Sequence, residues 1–201
     1  MIALPPCADL FDAGIARAVV LDDDDIPRLQ RFFECNPDYF RSVNGEMPAA
    51  DEAYRELHST LPDGWSFSWQ RSIAFVDGRD DVVAVASVVA DLLASGVWHI
   101  GLFIVATPLH GTGAARSLYE ALERFAATSG ARWLRLGVVV GNARAEHFWI
   151  RCGFIDVRLR AGVPMGARVN DVRVMVKPLT GEALADYRAL VPRDDSNRDD
   201  G

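Results

Sequence analysis

The chain reads as an α/β domain built on a mixed sheet covered by helices. Three observations predict this. Apolar runs and amphipathic helices alternate as strand, helix, strand, helix between Trp98 and Cys152. A hairpin signal precedes them, with apolar runs at Ser68–Asp77 and Val82–Ala90 joined by the turn Gly78-Arg79-Asp80. A glycine-rich turn, His110-Gly111-Thr112-Gly113-Ala114-Ala115, then separates an apolar run from the helix it opens.

In chain order, Arg17–Leu21 is a first short strand, and Asp22-Asp23-Asp24-Asp25 introduces a helix over Ile26–Cys35. The aspartates suit the positive end of that helix as caps. A metal site is the sharper alternative, but consecutive carboxylates lack the spaced partners a cation needs. Asn36-Pro37 ends the helix, because the residue before proline disfavours helical backbone. Between Asp38 and Gly64, the aromatic and apolar residues Tyr39, Phe40, Val43, Tyr54 and Leu57 are scattered among polar residues and breaks, with Asp51–Ser59 as the best further helix. After the hairpin, Trp98–Val105 continues the sheet. The helix Gly111–Thr128 carries Leu118, Leu122 and Phe125 on one face and is closed by Gly130. The strand Trp133–Val140, the helix Ala143–Cys152 and a last strand, Val169–Lys177, complete the pattern.

The chain has 201 residues, half of them apolar, enough for one sizeable core and a single domain over residues 1–190. Residues 191–201 lack an apolar face and are expected to be a disordered tail. There is no internal repeat and no interdomain linker. A net charge of −7 argues against nucleic acid as a partner, since a phosphate backbone calls for a basic face; it suits a cationic amine. Cys7, Cys35 and Cys152 are odd in number and widely spaced, which suggests neither a disulfide frame nor a zinc site and points to a reducing cytoplasm. Met1–Cys7 lacks the basic start and apolar core of a secretory signal, and no stretch approaches the ~20 apolar residues of a membrane span.

The glycine-rich turn carries the chemistry. Small residues let the backbone curl so that successive N–H groups point inward, and the helix starting there adds its positive dipole end, which together can cradle a phosphate. A tight turn is the plain alternative. A second stretch, Asn142-Ala143-Arg144-Ala145-Glu146-His147-Phe148-Trp149-Ile150-Arg151-Cys152-Gly153-Phe154, follows the next strand. The first stretch resembles the acetyl-CoA motif of the GNAT superfamily of N-acetyltransferases, Gln/Arg-x-x-Gly-x-Gly/Ala, with His110, Gly113 and Ala115 in its three places. The second resembles the family's Asn-x-x-Ala-x-x-aromatic segment, met by Asn142, Ala145, Phe148 and Trp149 and ending at Gly153 and Phe154. The resemblance is strong across residues 98–155 and has no specific match before about residue 65.

What the resemblance implies is a GNAT fold with about six or seven strands and helices on both faces. It implies transfer of acetyl from acetyl-CoA to a primary amine by direct attack, with no metal. The implied cofactor site comprises main-chain groups of Phe103 and Val105, the loop residues His110, Gly111, Thr112, Gly113, Ala114 and Ala115, and Asn142 and Trp149. Residues 22–64 become a variable helical segment over the acceptor, with Tyr39 and Phe40 as acceptor contacts; packing against the sheet is their plain alternative. Two positions depart from the pattern. His110 replaces a longer polar side chain but leaves the backbone donors intact. Trp149 stands where a tyrosine often returns a proton to the CoA thiolate, and indole cannot act as that acid.

The attacking amine must lose a proton, so a base is needed beside the acyl carbon. By family position that base is His99, where related enzymes keep a glutamate. In a regular strand His99 shares a face with Val105; a bulge between them would reverse this, and a structural role, usual for a lone histidine in an apolar strand, is its plain alternative. His58 in the variable segment is a weaker candidate for the acceptor pocket, His147 and Glu146 read as solvated, and Tyr119 as packing or surface. A non-catalytic acyl-CoA-binding module is the alternative function. The acceptor stays open among a polyamine, an amino acid, an antibiotic and a protein amino group, and a homodimer is compatible with the fold.

Overall fold

The computed structural model describes residues 9–195; Cys7 with the rest of Met1–Cys7, and residues 196–201 of the expected tail, lie outside the described residues. Eight strands form one sheet in the order β1-β2-β3-β4-β5-β6-β8-β7. They are β1 (Asp9–Asp12), β2 (Arg17–Val20), β3 (Trp69–Val76), β4 (Val82–Ala90), β5 (Val97–Val105), β6 (Trp133–Val139), β7 (Ile155–Met165) and β8 (Arg168–Pro178). Neighbours are antiparallel except β5 and β6, which run parallel because α4 (Ala114–Thr128) crosses between them. The sheet therefore exceeds the expected six or seven strands. β1 is only four residues long, and β7 is an edge strand, mostly exposed and interrupted by Gly162 and Pro164.

Helices cover both faces. On one, α4 and α5 (Ala143–Arg151) place Leu118, Leu122 and Trp149 in a core with Ile73, Phe75, Trp98, Ile100 and Val105. On the other, α1 (Ile26–Cys35), α2 (Asp38–Val43) and α3 (Glu52–Leu57) bury Leu29, Phe33, Phe40 and Ala53 against Val85, Leu102 and Ile104. α6 (Leu184–Leu190) packs Tyr187 beside Trp133 in a third cluster with Val97, Val174 and Val176. The acidic run caps the short 3-10 turn Asp23–Asp25 that leads into α1, with Asp22 accepting the Asp24 N–H at 3.0 Å and Asp25 accepting the Asp22 N–H at 3.2 Å, whereas Asp25, at the N-cap of α1 itself, makes no side-chain capping bond. Among the described residues no group of acidic, His or Cys side chains is arranged to hold a metal ion.

Two irregularities in β5 shape the centre of the molecule. Ser87 pairs with Leu102 while Val88 pairs with Ile100, so Gly101 is an extra residue, a β-bulge. Side-chain parity reverses there: Trp98 and Ile100 face α4, and after the bulge so do Phe103 and Val105. His99 consequently lies on the face opposite Val105, not beside it as a regular strand would have placed it. In addition, β5 and β6 pair only from Val97/Trp133 to Ile100/Leu136, and beyond that point they separate although both strands continue.

The chain also stays packed beyond residue 190, where its polar composition predicts a disordered tail. Val191 and Asp194 are buried, and Asp194 is paired with the buried Arg135. A polar composition alone does not reveal such a partner, which lies about sixty residues away in sequence.

Candidate active site

The glycine-rich turn begins where β5 ends. Gly111 and Gly113 hold φ of +79° and +90°, left-handed backbone that residues with a side chain adopt only under strain. The turn delivers the chain into α4 with its N–H groups in sequence. Thr112 closes it, its hydroxyl donating to the Leu109 carbonyl at 2.8 Å and accepting the Ala114 N–H at 3.3 Å. Among the described residues the N–H groups of Gly111, Gly113 and Ala115 meet no acceptor, as expected for the first turn of a helix. This set of donors on a helix N-terminus, with no side chain in the way, fits a diphosphate.

His110 does not extend toward that site. Its Nε2 donates to the Val105 carbonyl at 2.8 Å, tying the turn to the end of β5. The second half of the motif is built like the first: Asn142 caps α5, its side-chain oxygen accepting the Ala145 N–H at 3.3 Å. Between the two helix N-termini runs a cleft of about 790 Å³. Its walls include Phe103, Val105, His110, Gly111, Gly113, Ala115, Asn142 and Trp149. Thr112 and Ala114, expected in the same site, do not reach the lining; Ala114 is buried beneath it. Arg116, Arg144 and Arg151, which sequence reasoning passed over, do line it. Their signal was a basic residue in the first turn of each motif helix and another at the end of α5.

Trp149 is nearly buried and sits in an aromatic cluster. Its ring lies 5.8 Å from Phe103, 5.4 Å from Tyr119, 4.9 Å from Phe148 and 5.3 Å from Phe154. Tyr119 is core, as expected, and the neighbouring Cys152 thiol is pushed up to about 11 by burial. Glu146 is engaged by Arg173 at 3.0 Å.

Where β5 and β6 part, the cleft adjoins a second pocket of about 240 Å³ that opens toward the α1–α3 side. Tyr39, Phe103, Asn142, Ala145 and Trp149 line both. Its other walls include His99 and Gly101 of β5, Arg135 of β6, Trp65, and Arg160 and Met165 of the β7–β8 hairpin. That hairpin is fastened to α2, with Arg168 donating to the Ser42 carbonyl at 3.0 Å and Asn170 to the Val43 carbonyl at 2.8 Å. Phe40, expected beside Tyr39 in the acceptor site, instead points into the core against Phe33, because adjacent helical residues face different directions. His58 is likewise elsewhere, stacked on Tyr54 and 3.4 Å from Asp23.

His99 faces this second pocket. Its Nδ1 lies 3.2 Å from the Arg135 carbonyl and 3.3 Å from the Arg135 guanidinium, so Arg135 fixes the ring in either tautomer. Burial, and then the adjacent Arg135 charge, lower its pKa to about 3. Arg135 is in turn clasped by Asp194, Nε to Oδ2 at 2.7 Å and Nη2 to Oδ1 at 3.1 Å, and the Tyr187 hydroxyl donates to the same carboxylate at 2.7 Å.

Sequence reasoning missed Glu56. Its carboxyl is desolvated on α3, accepts a hydrogen bond from Ser72 at 3.2 Å, has Ser87 nearby, and is raised above the ordinary carboxylate range by burial. Ser72 and Ser87 are cross-strand partners, and Ser87 reaches Gly101, whose absent side chain would sit 3.8 Å from the Ser87 hydroxyl. The serines were the only signal: two small polar residues in otherwise apolar strands.

The site is thus a splayed pair of parallel strands between two helix N-termini, opening onto a second pocket. The chain belongs to the acetyltransferase (GNAT) family, whose profile matches residues 29–154, and it is an acyltransferase. Solved structures agree on the fold. An acetyltransferase from Thermus thermophilus superimposes with a TM-score of 0.60 at 23% identity, covering 86% of this chain and 100% of that one. The spermidine N-acetyltransferase from Vibrio cholerae, in complex with CoA and spermine, does so at 0.61 and 19% identity, over 80% and 94%. The ribosomal-protein-S18-alanine N-acetyltransferase from Escherichia coli gives 0.59 at 15% identity, over 83% and 96%. No curated protein matches the sequence.

Proposed function

We propose that this protein transfers an acetyl group from acetyl-CoA to a primary amine by direct attack. The observation that carries the reading is the junction of two cavities at the β5/β6 split, one ending at a phosphate-type cradle and the other at a separate mouth. Acetyl-CoA, when bound, supplies the acyl group as a thioester. The free N–H groups of Gly111, Gly113 and Ala115 would hold its diphosphate, with Arg116, Arg144 and Arg151 nearby. The β5 edge left unpaired by β6 offers main-chain groups to the pantetheine arm, although the Val105 carbonyl is already taken by His110.

In the transfer, the amine nitrogen bonds to the acyl carbon, the carbon–sulfur bond breaks, and the amine proton goes to a base. His99 faces the acceptor, but a conjugate acid near pKa 3 makes its imidazole a weak proton acceptor. Glu56, raised above the ordinary carboxylate range by burial, is the stronger base and sits behind the pocket wall beside Ser87, which Gly101 approaches. We assign the proton to Glu56 and to His99 a hydrogen bond that orients the amine. With Trp149 in place of the usual tyrosine, the thiolate departs unassisted; its reference pKa of about 8.5 permits this.

The test is direct. CoA should raise the melting temperature, and acetyl-CoA should release free thiol when primary amines are supplied. Stabilisation by CoA without thiol release across an amine panel would make the protein a binding module, and no stabilisation at all would remove the site.

A further inference from the structure

The second pocket has a sign, and it is opposite to that of the protein. The chain carries a net charge of −7, yet no Asp or Glu is among the described residues that line this pocket. Its charged lining residues are Arg135 and Arg160, and its histidine is held neutral. Arg135 is spent, clasped by Asp194. Arg160 is not: among the described residues it has neither hydrogen bond nor ion pair, and it shares its surroundings with Arg135, Arg158 and Arg193, while Asp194 is the carboxylate that acts on it. Desolvation first, and then that crowding, lower its pKa from the ordinary arginine value; the side chain stays partly exposed and charged, and an anion beside it would be favoured.

The neighbouring cations are held in place by structure. Arg193 stacks 4.5 Å over Trp65, itself a pocket wall, and Arg158 bonds the Arg193 carbonyl. Arg160 sits on β7 opposite Val172, where the β7–β8 pairing slips and re-aims the strand. Tyr39, whose hydroxyl burial keeps uncharged, also lines the pocket, and Glu56 lies outside the lining beside Ser87, the serine that Gly101 approaches. A pocket of about 240 Å³ is below the usual range for drug-sized ligands and fits something the size of an amino acid.

We propose that the acceptor is a small amine that also carries a carboxylate, and that Arg160 binds this carboxylate so as to turn the amine toward the β5/β6 split. This rests on the acyl-transfer reading above and names its substrate class. A polyamine, positive at both ends, would meet Arg160 with no carboxylate in the pocket lining to offset it.

Thiol release from acetyl-CoA is measured for an ω-amino acid, its carboxamide and spermidine, using the full chain and Arg160→Met. The carboxylate should exceed the carboxamide in kcat/KM by about tenfold, equivalent to about 1.4 kcal/mol, with spermidine poorest. In Arg160→Met that ratio should fall to near one, through KM. Equal or better turnover of the carboxamide or of spermidine, or a ratio that survives in Arg160→Met, overturns the proposal. An acidic peptide preferred to the free amino acid overturns the small-molecule assignment. If no amine releases thiol, melting of the CoA-saturated protein decides separately. Stabilisation by the amino acid that Arg160→Met abolishes retains the anion site while acyl transfer falls; no stabilisation removes the anion site as well.

Discussion

Gly113 shows how one residue can be required for its backbone alone. A Cβ built there meets nothing within 4 Å, so space is no obstacle, but φ of +90° is strained for any side chain. Gly113→Ala should therefore cost about 1 kcal/mol of stability and weaken CoA binding together, because relaxing the turn misaligns the donors. Denaturant unfolding and a CoA titration check both; intact CoA affinity would show that the turn is not the cradle. His99 and Glu56 are separated by their protonation. With a pKa near 3, His99 stays neutral throughout the working range, so no limb of the rate profile near the ordinary histidine value of about 6.5 should belong to it. An acid limb should instead lie above the ordinary carboxylate range and vanish in Glu56→Gln, with kcat down about 100-fold. A profile unchanged in Glu56→Gln and altered in His99→Gln would reverse the two roles.

The single extra residue in β5 decides more chemistry than any one side chain. Without the bulge at Gly101, His99 would face α4 and the acceptor side would lose its only histidine among the pocket-lining residues. Gly101 does not need glycine for its backbone, and a Cβ there makes ordinary contacts, 3.8 Å to Ser87 and 3.9 Å to His99. Gly101→Val should consequently fold with a stability change of no more than about 1 kcal/mol while narrowing the pocket. The expected result is a higher KM for the amine with CoA affinity unchanged. Loss of CoA affinity instead would mean that the second pocket belongs to the cofactor.

The C-terminal segment joins the far end of the chain to the centre of the sheet. Breaking the Arg135–Asp194 pair strands a buried guanidinium, so Asp194→Asn should cost about 3–5 kcal/mol by denaturant unfolding. The pH dependence has a definite sign. Asp194 is held below the ordinary carboxylate range by Arg135 and Tyr187, against the opposing effect of burial. Its contribution is therefore complete above the unfolded carboxylate value of about 3.9 and is lost as pH falls through the lower folded value. Asp194→Asn should flatten the acid edge of the stability curve; an unchanged edge would assign acid unfolding to other carboxylates. Among the described residues no helix is long and apolar enough to cross a membrane.

Local patterning was enough for the turn at Gly111–Gly113, the acidic turn at Asp22–Asp25 ahead of α1, the hairpin at Gly78-Arg79-Asp80 and most strands and helices near the cofactor cleft, because each depends on residues within a few positions of one another. β1, the edge strand β7, the bulge, the buried pair at Asp194 and the roles of Tyr39 against Phe40 were not legible. Each depends on which distant strand lies alongside, or which face of a short helix meets the sheet. Composition bears on the acceptor only through the net charge of −7, which suits a cation, whereas the charged residues lining the second pocket are arginines, the basis of the carboxylate-bearing acceptor proposed above. The order of residues alone pointed to the family, the glycine turn and the elements that flank it, since backbone conformation and amphipathic spacing are short-range properties. Only packing in three dimensions chose the face His99 occupies, brought His99, Arg135 and Arg160 around one pocket, set Asp194 against Arg135 and desolvated Glu56, because desolvation and Coulomb interactions depend on distances the linear chain does not contain.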